Sequence, residues 1–276
     1  MSINSGQAFL WEMIGGSWYG IHGRHVIKIS PGDTGQEFLS YPDLQSCERL
    51  IFRLDDDIDR IISEISRDQL VSTLVKEYAG LRLMRQDPEQ CIFSFACASN
   101  TNIPMIRMML RNLARKFGDR VVVDGREFFT FPTAKKIHGA TAAEIGACGL
   151  GYRVKAVKAV AESIVSGGLD LNALRKAEYE DSKRELLRVY GIGNKIADCV
   201  MLFSLDKLEA FPIDVWIARS LAKHYKFLSD SKFCEKPSPR QYDALSDVMR
   251  AYFGEYAGYA QQYLYYHMRQ KARRKW

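Results

Sequence analysis

At 276 residues with 47% apolar side chains, the chain is long enough for one large domain or two ordinary ones and can bury a real core. No window approaches the roughly eighteen uninterrupted apolar residues of a membrane span, and the N-terminus lacks a basic stretch followed by an apolar run. No membrane partner is therefore expected, and the expected address is cytoplasmic. The net charge of +6 is unevenly spread, with 9 basic and 14 acidic side chains in residues 1–100 against 30 and 19 in residues 101–276. The second part is suited to a polyanion, although a solvated face carries a similar excess. Six scattered cysteines (Cys47, Cys91, Cys97, Cys148, Cys199 and Cys234) form no CxxC pair and no ligand cluster, which argues for reduced thiols and against structural zinc or an iron–sulfur centre.

The opening fifty residues predict strands. "AFLWEM", "SWYGIH", "RHVIKI" and "EFLSY" are short, aromatic and β-branched, with Gly, Ser, Pro and Asp between them, as in an antiparallel sheet. The acidic run Asp55 to Asp59 leads a helix and complements its dipole; metal binding is the lesser reading. From Ile58 the period becomes helical, with Ile58, Ile61, Ile62, Ile65 and Leu70 largely on one face. Ile103 to Phe117 keeps Ile106, Met109, Leu110 and Leu113 in register, and "RVVVDG" and "EFFTFP" are the only later strand candidates. Thr141 and Glu144 make a capping box, and Tyr152 to Val165 predicts a helix stopped by Gly167 and Gly168. Ser238–Pro239 starts another, and a last helix runs from about Tyr256 into the basic tail. The fold expected is α+β, mostly α: an antiparallel β-sheet domain with helices over 1–98, then a helical domain over 99–276. There is no internal repeat.

The chemistry concentrates in "LRVYGIGNKIADCVMLFSLDKLEAFPIDV", Leu187 to Val215. A helix ending near Val189, a turn with Gly191 and Gly193, and a helix from Asn194 form a helical hairpin at about 184–204. Small glycines let backbone amides approach a phosphate at the new helix's N-terminus, a grip on nucleic-acid backbone that reads no sequence. Many tight helix connections carry such a turn, so Lys195 matters more. It sits in the first helical turn among Ile196, Ala197, Cys199 and Val200, where the positive dipole end and apolar surroundings both favour the free amine. A neutral amine can attack a sugar C1′ and form a Schiff base, whereas a protonated one pairs with phosphate. Asp214, nineteen residues on and just after Pro212, is a natural N-cap, and helix amides are expected to keep it ionised. Facing Lys195, it would also stabilise the positive charge that grows on a deoxyribose whose base departs.

The hairpin, Lys195, the following "ADC" and "PIDV" together resemble the helix-hairpin-helix (HhH-GPD) DNA glycosylase superfamily, and within it the 8-oxoguanine DNA glycosylases. The resemblance covers nearly the whole chain. "NSGQAFLW" resembles that family's N-terminal element, which implies that the Gly6 carbonyl accepts the N7 hydrogen present in 8-oxoguanine and absent from guanine. Normal guanine would set two acceptors against each other. "ASNTNIP" and "GLGYR" imply that Asn100, Tyr152 and Arg153 attend the orphaned cytosine, Tyr152 as the wedge that fills the gap left by a flipped base. Gln261 and Tyr265, at i and i+4, match the glutamine on the base's pairing edge and an aromatic on its face, with Cys199 on the other side. The family carries phenylalanine where Tyr265 stands.

By this resemblance the chain is a bifunctional glycosylase and lyase of damaged double-stranded DNA. It would act as a monomer, without organic cofactor or catalytic metal, and the hairpin carbonyls are suited to a structural cation. The N-terminus, beginning shortly before "SGQ", resembles the bacterial branch, so the expected setting is nucleoid DNA in a bacterium. Two departures bear on function. Met105 stands where well-known eukaryotic members have an arginine that reads the opposite cytosine, and Trp216 replaces a histidine associated with DNA phosphate. A glycosylase of the same superfamily for another damaged base, and a non-catalytic DNA-binding module, are the alternatives.

Overall fold

The computed structural model describes residues 1–33, 35–225 and 237–273. Four short strands follow one another as a meander: β1 (Trp11–Ile14), β2 (Ser17–His22), β3 (His25–Gly32) and β4 (Gly35–Tyr41), all antiparallel and in sequence order. Trp11, Ile27 and Ile29 project from one face and join Ile3, Ala8 and Met84, with α1 (Cys47–Ile51) supplying Cys47 and Ile51. "AFLWEM" forms a strand only from Trp11 onward, because Ala8, Phe9 and Leu10 turn inward as buried core residues.

Ile58 to Leu70 is divided between two helices, α2 (Ile58–Ile65) and α3 (Gln69–Glu77), so Leu70 does not continue the face of Ile61 and Ile65. Ser66 and Asp68 account for the break. The Ser66 hydroxyl donates back to Ile62 O at 2.6 Å, and Asp68 caps the new helix by accepting from Val71 N at 2.8 Å. The acidic run is spent locally. Asp57 accepts from Arg60 N at 3.1 Å as the N-cap of α2, Asp55 pairs with Arg85 at 3.3 Å, and Asp56 accepts from Tyr259 Oη at 2.6 Å.

Beyond α4 (Pro88–Cys97) and α5 (Ile103–Phe117), the two later strand candidates form a hairpin, β5 (Arg120–Val123) with β6 (Arg126–Phe129). It packs on the free face of the meander, with the Phe128 ring stacked on Tyr19 at 5.0 Å between centroids and Asp124 bridged to Lys28 at 2.9 Å. The Thr141 capping box opens α7 (Ala142–Ile145), which follows α6 (Ala134–Gly139). Next come α8 (Val154–Val165), α9 (Leu171–Lys176), α10 (Tyr179–Leu187), α11 (Asn194–Ser204), α12 (Val215–His224), α13 (Pro239–Phe253) and α14 (Ala257–Arg273). The expected start of α8 at Tyr152 gives way to a single 3-10 turn over Gly151–Arg153, preceded by a wide turn over Gly146–Leu150 in which Gly149 takes φ 86°. Cys234 and the last residues of the basic tail lie outside the described residues.

One hydrophobic core runs from Phe9 and Leu10 through α2, α3, α4 and α5 to α11 and α14, so apolar packing continues across residue 98. An ionic hub adds to the junction. Asp206 receives Arg53 at 2.5 Å, Arg85 at 2.8 Å and Arg175 at 3.5 Å, and the Arg53 side chain is 1% exposed. Burial pushes the Asp206 carboxyl up, but Arg53, Arg85 and Arg175 outweigh it and hold the group below its ordinary range. A lowered folded-state pKa stabilises the fold above the unfolded value near 3.8, and the contribution is lost as pH falls through the folded value. Asp206→Ala, which strands a buried guanidinium, is expected to cost about 3 kcal/mol at pH 7 in urea unfolding. Its deficit against the wild type should close progressively below about pH 4.

Candidate active site

A cavity of about 350 Å³ opens where the N-terminal segment, α5, α11, the turn before α12 and α14 meet, a size suited to a small organic molecule. Its wall includes Gly6, Lys195, Cys199, Asp214, Gln261 and Tyr265, six positions singled out from sequence. Residues more than two hundred positions apart are thus brought to one site.

Lys195 reaches the cavity because α11 begins at its edge. The N-cap is Gly193, which offers no side chain, so no described side chain caps the first amides of α11. Ile196 to Ser204 are all buried, and Lys195 marks the border between core and cavity. Its Nζ stands 5.3 Å from the centre of the Phe95 ring. Gly191 takes φ 87°, and a Cβ there would lie 2.4 Å from Ala156 Cβ, so a glycine is required for the hairpin to pack on α8. Gly193 has open space around its missing side chain, the condition for close approach by a phosphate.

Asp214 caps α12 as the sequence predicts, accepting from Ile217 N at 2.9 Å. Its electrostatics differ from expectation. Burial dominates and raises its pKa, while the Ile217 amide and the neighbouring Lys195 oppose that rise. The cap amides are too few to offset the loss of water. Burial likewise raises the Tyr265 hydroxyl and pushes the Cys199 thiol up to about 12.

Gly6 has φ 96°, and a Cβ on it would stand 1.9 Å from Arg269 Nη1. Gln7 explains how this segment is held. Its amide donates to Arg82 O at 2.9 Å and accepts from Met84 N at 2.7 Å, while Gln86 donates to Gln7 O at 2.7 Å. Across the cavity, Gln261 Nε2 donates to Pro212 O at 2.9 Å, and its Oε1 is buried with no partner among the described residues. Leaving such an acceptor unpaired costs about 1–3 kcal/mol, which a bound N–H donor would recover.

Asn100, Tyr152 and Arg153 gather beside the cavity rather than in it. Tyr152 is 64% exposed with its hydroxyl on Ser99 O at 3.0 Å, and the Arg153 guanidinium lies 4.4 Å from the centre of that ring. Arg153 donates to Ser99 O at 2.7 Å from Nη2 and to Asn100 O at 3.2 Å, so its donors hold the loop in which Asn100 adopts φ 48°. Met105 is 42% exposed on the first turn of α5. Trp216 lines the cavity, with Arg219 placed 5.6 Å from the centre of its ring.

Arg269 and Phe95 are among the cavity residues that sequence reasoning missed. Arg269 donates to Ser5 O at 2.6 Å and lies 5.6 Å from the Tyr265 ring centre; its spacing, four beyond Tyr265 and eight beyond Gln261, was the available signal. Phe95 carries none, being one apolar residue in an apolar helix. Among the described residues no group of three His, Cys, Asp or Glu side chains could hold a metal ion. No helix in the described residues is long and apolar enough to cross a membrane.

A raised Asp214 pKa means that the folded state holds that proton more tightly than the unfolded one. Ionisation therefore lowers stability as pH rises from the unfolded value near 3.8 through the folded value, and the penalty is complete above it. Asp214→Asn keeps a capping oxygen and carries no charge. It is expected to melt higher than the wild type at pH 7, with the difference shrinking as pH falls toward about 4 and absent below it in a calorimetric pH series.

Comparison with known proteins places this geometry in a family. Residues 1–92 match the model of the 8-oxoguanine DNA glycosylase N-terminal domain, and residues 93–237 match that of HhH-GPD superfamily base excision DNA repair proteins. The 8-oxoguanine glycosylase/lyase of Clostridium acetobutylicum, solved with double-stranded DNA containing cytosine opposite 8-oxoguanine, superposes with a TM-score of 0.87 at 30% identity over 98% of this chain and 90% of that one. An N-glycosylase/DNA lyase of Arabidopsis thaliana is 29% identical over 96% of this chain and 75% of its own length. The 3-methyladenine DNA glycosylase of Archaeoglobus fulgidus shares the fold, with a TM-score of 0.74 at 18% identity over 94% of this chain and 89% of that one. The chain belongs to the HhH-GPD superfamily of base excision DNA repair proteins, in its 8-oxoguanine DNA glycosylase branch.

Proposed function

We propose that this protein is a bifunctional DNA glycosylase and lyase that removes 8-oxoguanine from duplex DNA in base excision repair. The observation that carries the reading is one cavity walled by Lys195, Asp214 and the unpaired acceptor of Gln261. The hairpin amides and the basic helical part bind damaged duplex DNA, the lesion nucleotide turns out of the stack, and Tyr152 fills the gap. The base lies between Cys199 and Tyr265. Gly6 O accepts its N7 hydrogen, and Gln261 Oε1 accepts from its pairing edge.

Lys195, as free amine, attacks C1′ while the glycosidic bond breaks and the base leaves with its electron pair. Asp214 stabilises the positive charge that develops on the sugar. The amine loses its proton as the ring opens to a protonated imine, and loss of a C2′ proton then expels the 3′ phosphate by β-elimination. Water hydrolyses the imine and frees the enzyme. These steps need no organic cofactor or catalytic metal. A cation at the carbonyls of the Val189–Gly193 turn would only stiffen the hairpin, for which its exposed glycine backbone is suited. Monomeric action, a cytoplasmic site of work in a bacterium, and division near residue 98 into a β-rich part and a DNA-gripping helical part belong to the same proposal.

Two measurements test it. Borohydride reduction on a duplex with one 8-oxoguanine opposite cytosine is expected to trap a covalent adduct, absent with undamaged duplex and with Lys195→Gln, and the variant's excision rate should fall by more than about a thousandfold. An adduct on other damaged bases alone would reassign the lesion, and neither an adduct nor a released base with any of them would leave a binding module. Met105 has no donor for the opposite cytosine, so excision opposite the four bases should be less discriminating than in a Met105→Arg variant. That substitution is expected to sharpen the cytosine preference by about tenfold, the worth of one charge-assisted hydrogen bond.

A further inference from the structure

Behind the cavity lies a buried polar network that the chemistry above does not use. Asp198, the aspartate of "ADC", is fully buried on α11, three residues after Lys195 and next to Cys199. One of its oxygens accepts from Tyr179 Oη and the other from Tyr242 Oη, each at 2.6 Å, and Lys183 Nζ lies 3.8 Å away. Lys183 in turn donates to Asp243 at 3.0 Å, and Asp243 also accepts from Asn194, the first residue of α11, at 2.9 Å. The network thus begins at the hairpin and ends under the cavity.

Its two tyrosines are not equivalent. Tyr242 Oη, while donating to Asp198, also accepts the backbone N–H of Ile213 at 3.1 Å, the residue immediately before Asp214. Tyr179 contacts Asp198 and Lys183, on α11 and α10, and no hydrogen bond joins it to residues 212–214 among those described. A two-bond bridge therefore runs from the helix that carries Lys195 to the segment that carries Asp214. Both bonds are buried, and the one to the Asp198 carboxyl group is short, so breaking either strands a polar group away from water.

We infer that Tyr242 is a positioning residue that sets Asp214 against Lys195 by clamping the Ile213 amide to Asp198. The inference rests on the preceding reading for what Asp214 and Lys195 do. Lysine has four rotatable bonds and cannot define the separation of amine and carboxylate; the buried bridge defines it through backbone. A displacement of about 1 Å at a reacting centre can cost on the order of a hundredfold in rate.

The test compares Tyr242→Phe with Tyr179→Phe in the whole protein, below the lower of the two melting temperatures. Each removes one hydroxyl from Asp198 and keeps the ring, and only Tyr242→Phe frees the Ile213 amide. The readouts are single-turnover excision from an 8-oxoguanine duplex across pH, binding to a duplex with an uncleavable abasic-site analogue, and titration of the Asp214 carboxyl by nuclear magnetic resonance. Lys195, Arg269, Cys199 and Tyr265, the titratable and charged groups that act on Asp214, are unchanged in both variants. Tyr242→Phe is expected to slow excision on the order of 10- to 100-fold, leave analogue binding unchanged and move the Asp214 midpoint, while Tyr179→Phe moves none of the three. Equal effects in the two variants, or rate losses that track melting temperature alone, would overturn the inference. Should the wild type excise nothing, the preceding reading fails, and the Asp214 titration in the two variants still decides whether Tyr242 clamps that carboxylate.

Discussion

Burial of α11 on every side is the constraint on which this structure turns. Nine successive residues, Ile196 to Ser204, are shut away from water, and the helix packs against α4 and α10. The stacked rings of Phe203 and Phe95, 5.7 Å apart, fix it on one of those faces. A helix with only one apolar stripe can roll or slide against its neighbours; one packed all round has no such freedom. Its first turn therefore emerges at one place and in one orientation, and Lys195 inherits both. The glycine turn before it, short and without side chains at Gly191 and Gly193, leaves the same helix end open to solution.

Around that fixed point the fold keeps several groups in states that cost stability. Asp214 carries a carboxyl whose ionisation burial opposes, Gln261 holds an acceptor unpaired, and Gly6 adopts a backbone conformation that other residues resist. None of these improves the folded chain by itself, and all face one cavity. Local rules are commonly broken where a site must be ready before its ligand arrives. The rest of the molecule compensates with ordinary means: a core continuous from the sheet to α14, and an aspartate shared by three arginines.

Much of this was legible in the residues. The short aromatic and β-branched runs of the first strands, the Thr141 and Ser238 caps and the proline before Asp214 each act within a few positions, so they carry into the fold. The break between α2 and α3 was hidden because the apolar period happens to run through Ser66–Asp68, where side-chain bonds to backbone decide the conformation. Tyr152 fell outside its expected helix because Gly149 and Gly151 both turn left-handed just before it. Arg153 also donates to the carbonyls of Ser99 and Asn100, partners more than fifty residues away that periodicity cannot reveal. The electrostatics of Asp214 were misjudged for a related reason: a cap is a local property, whereas burial depends on α14 and the N-terminal segment closing over it.

The packing that fixes α11 also bears on its sulfur chemistry. All five cysteines among the described residues are buried and unbridged. Burial holds the thiols of Cys97 and Cys199 up at about 12 and raises that of Cys91 further. Peroxides attack the thiolate, and groups so reluctant to ionise offer almost none of it at neutral pH. In a protein whose substrate is made by oxidants these five thiols are thus poor targets for them, and the same water-tight core that aims Lys195 keeps Cys199, one turn further along, chemically quiet.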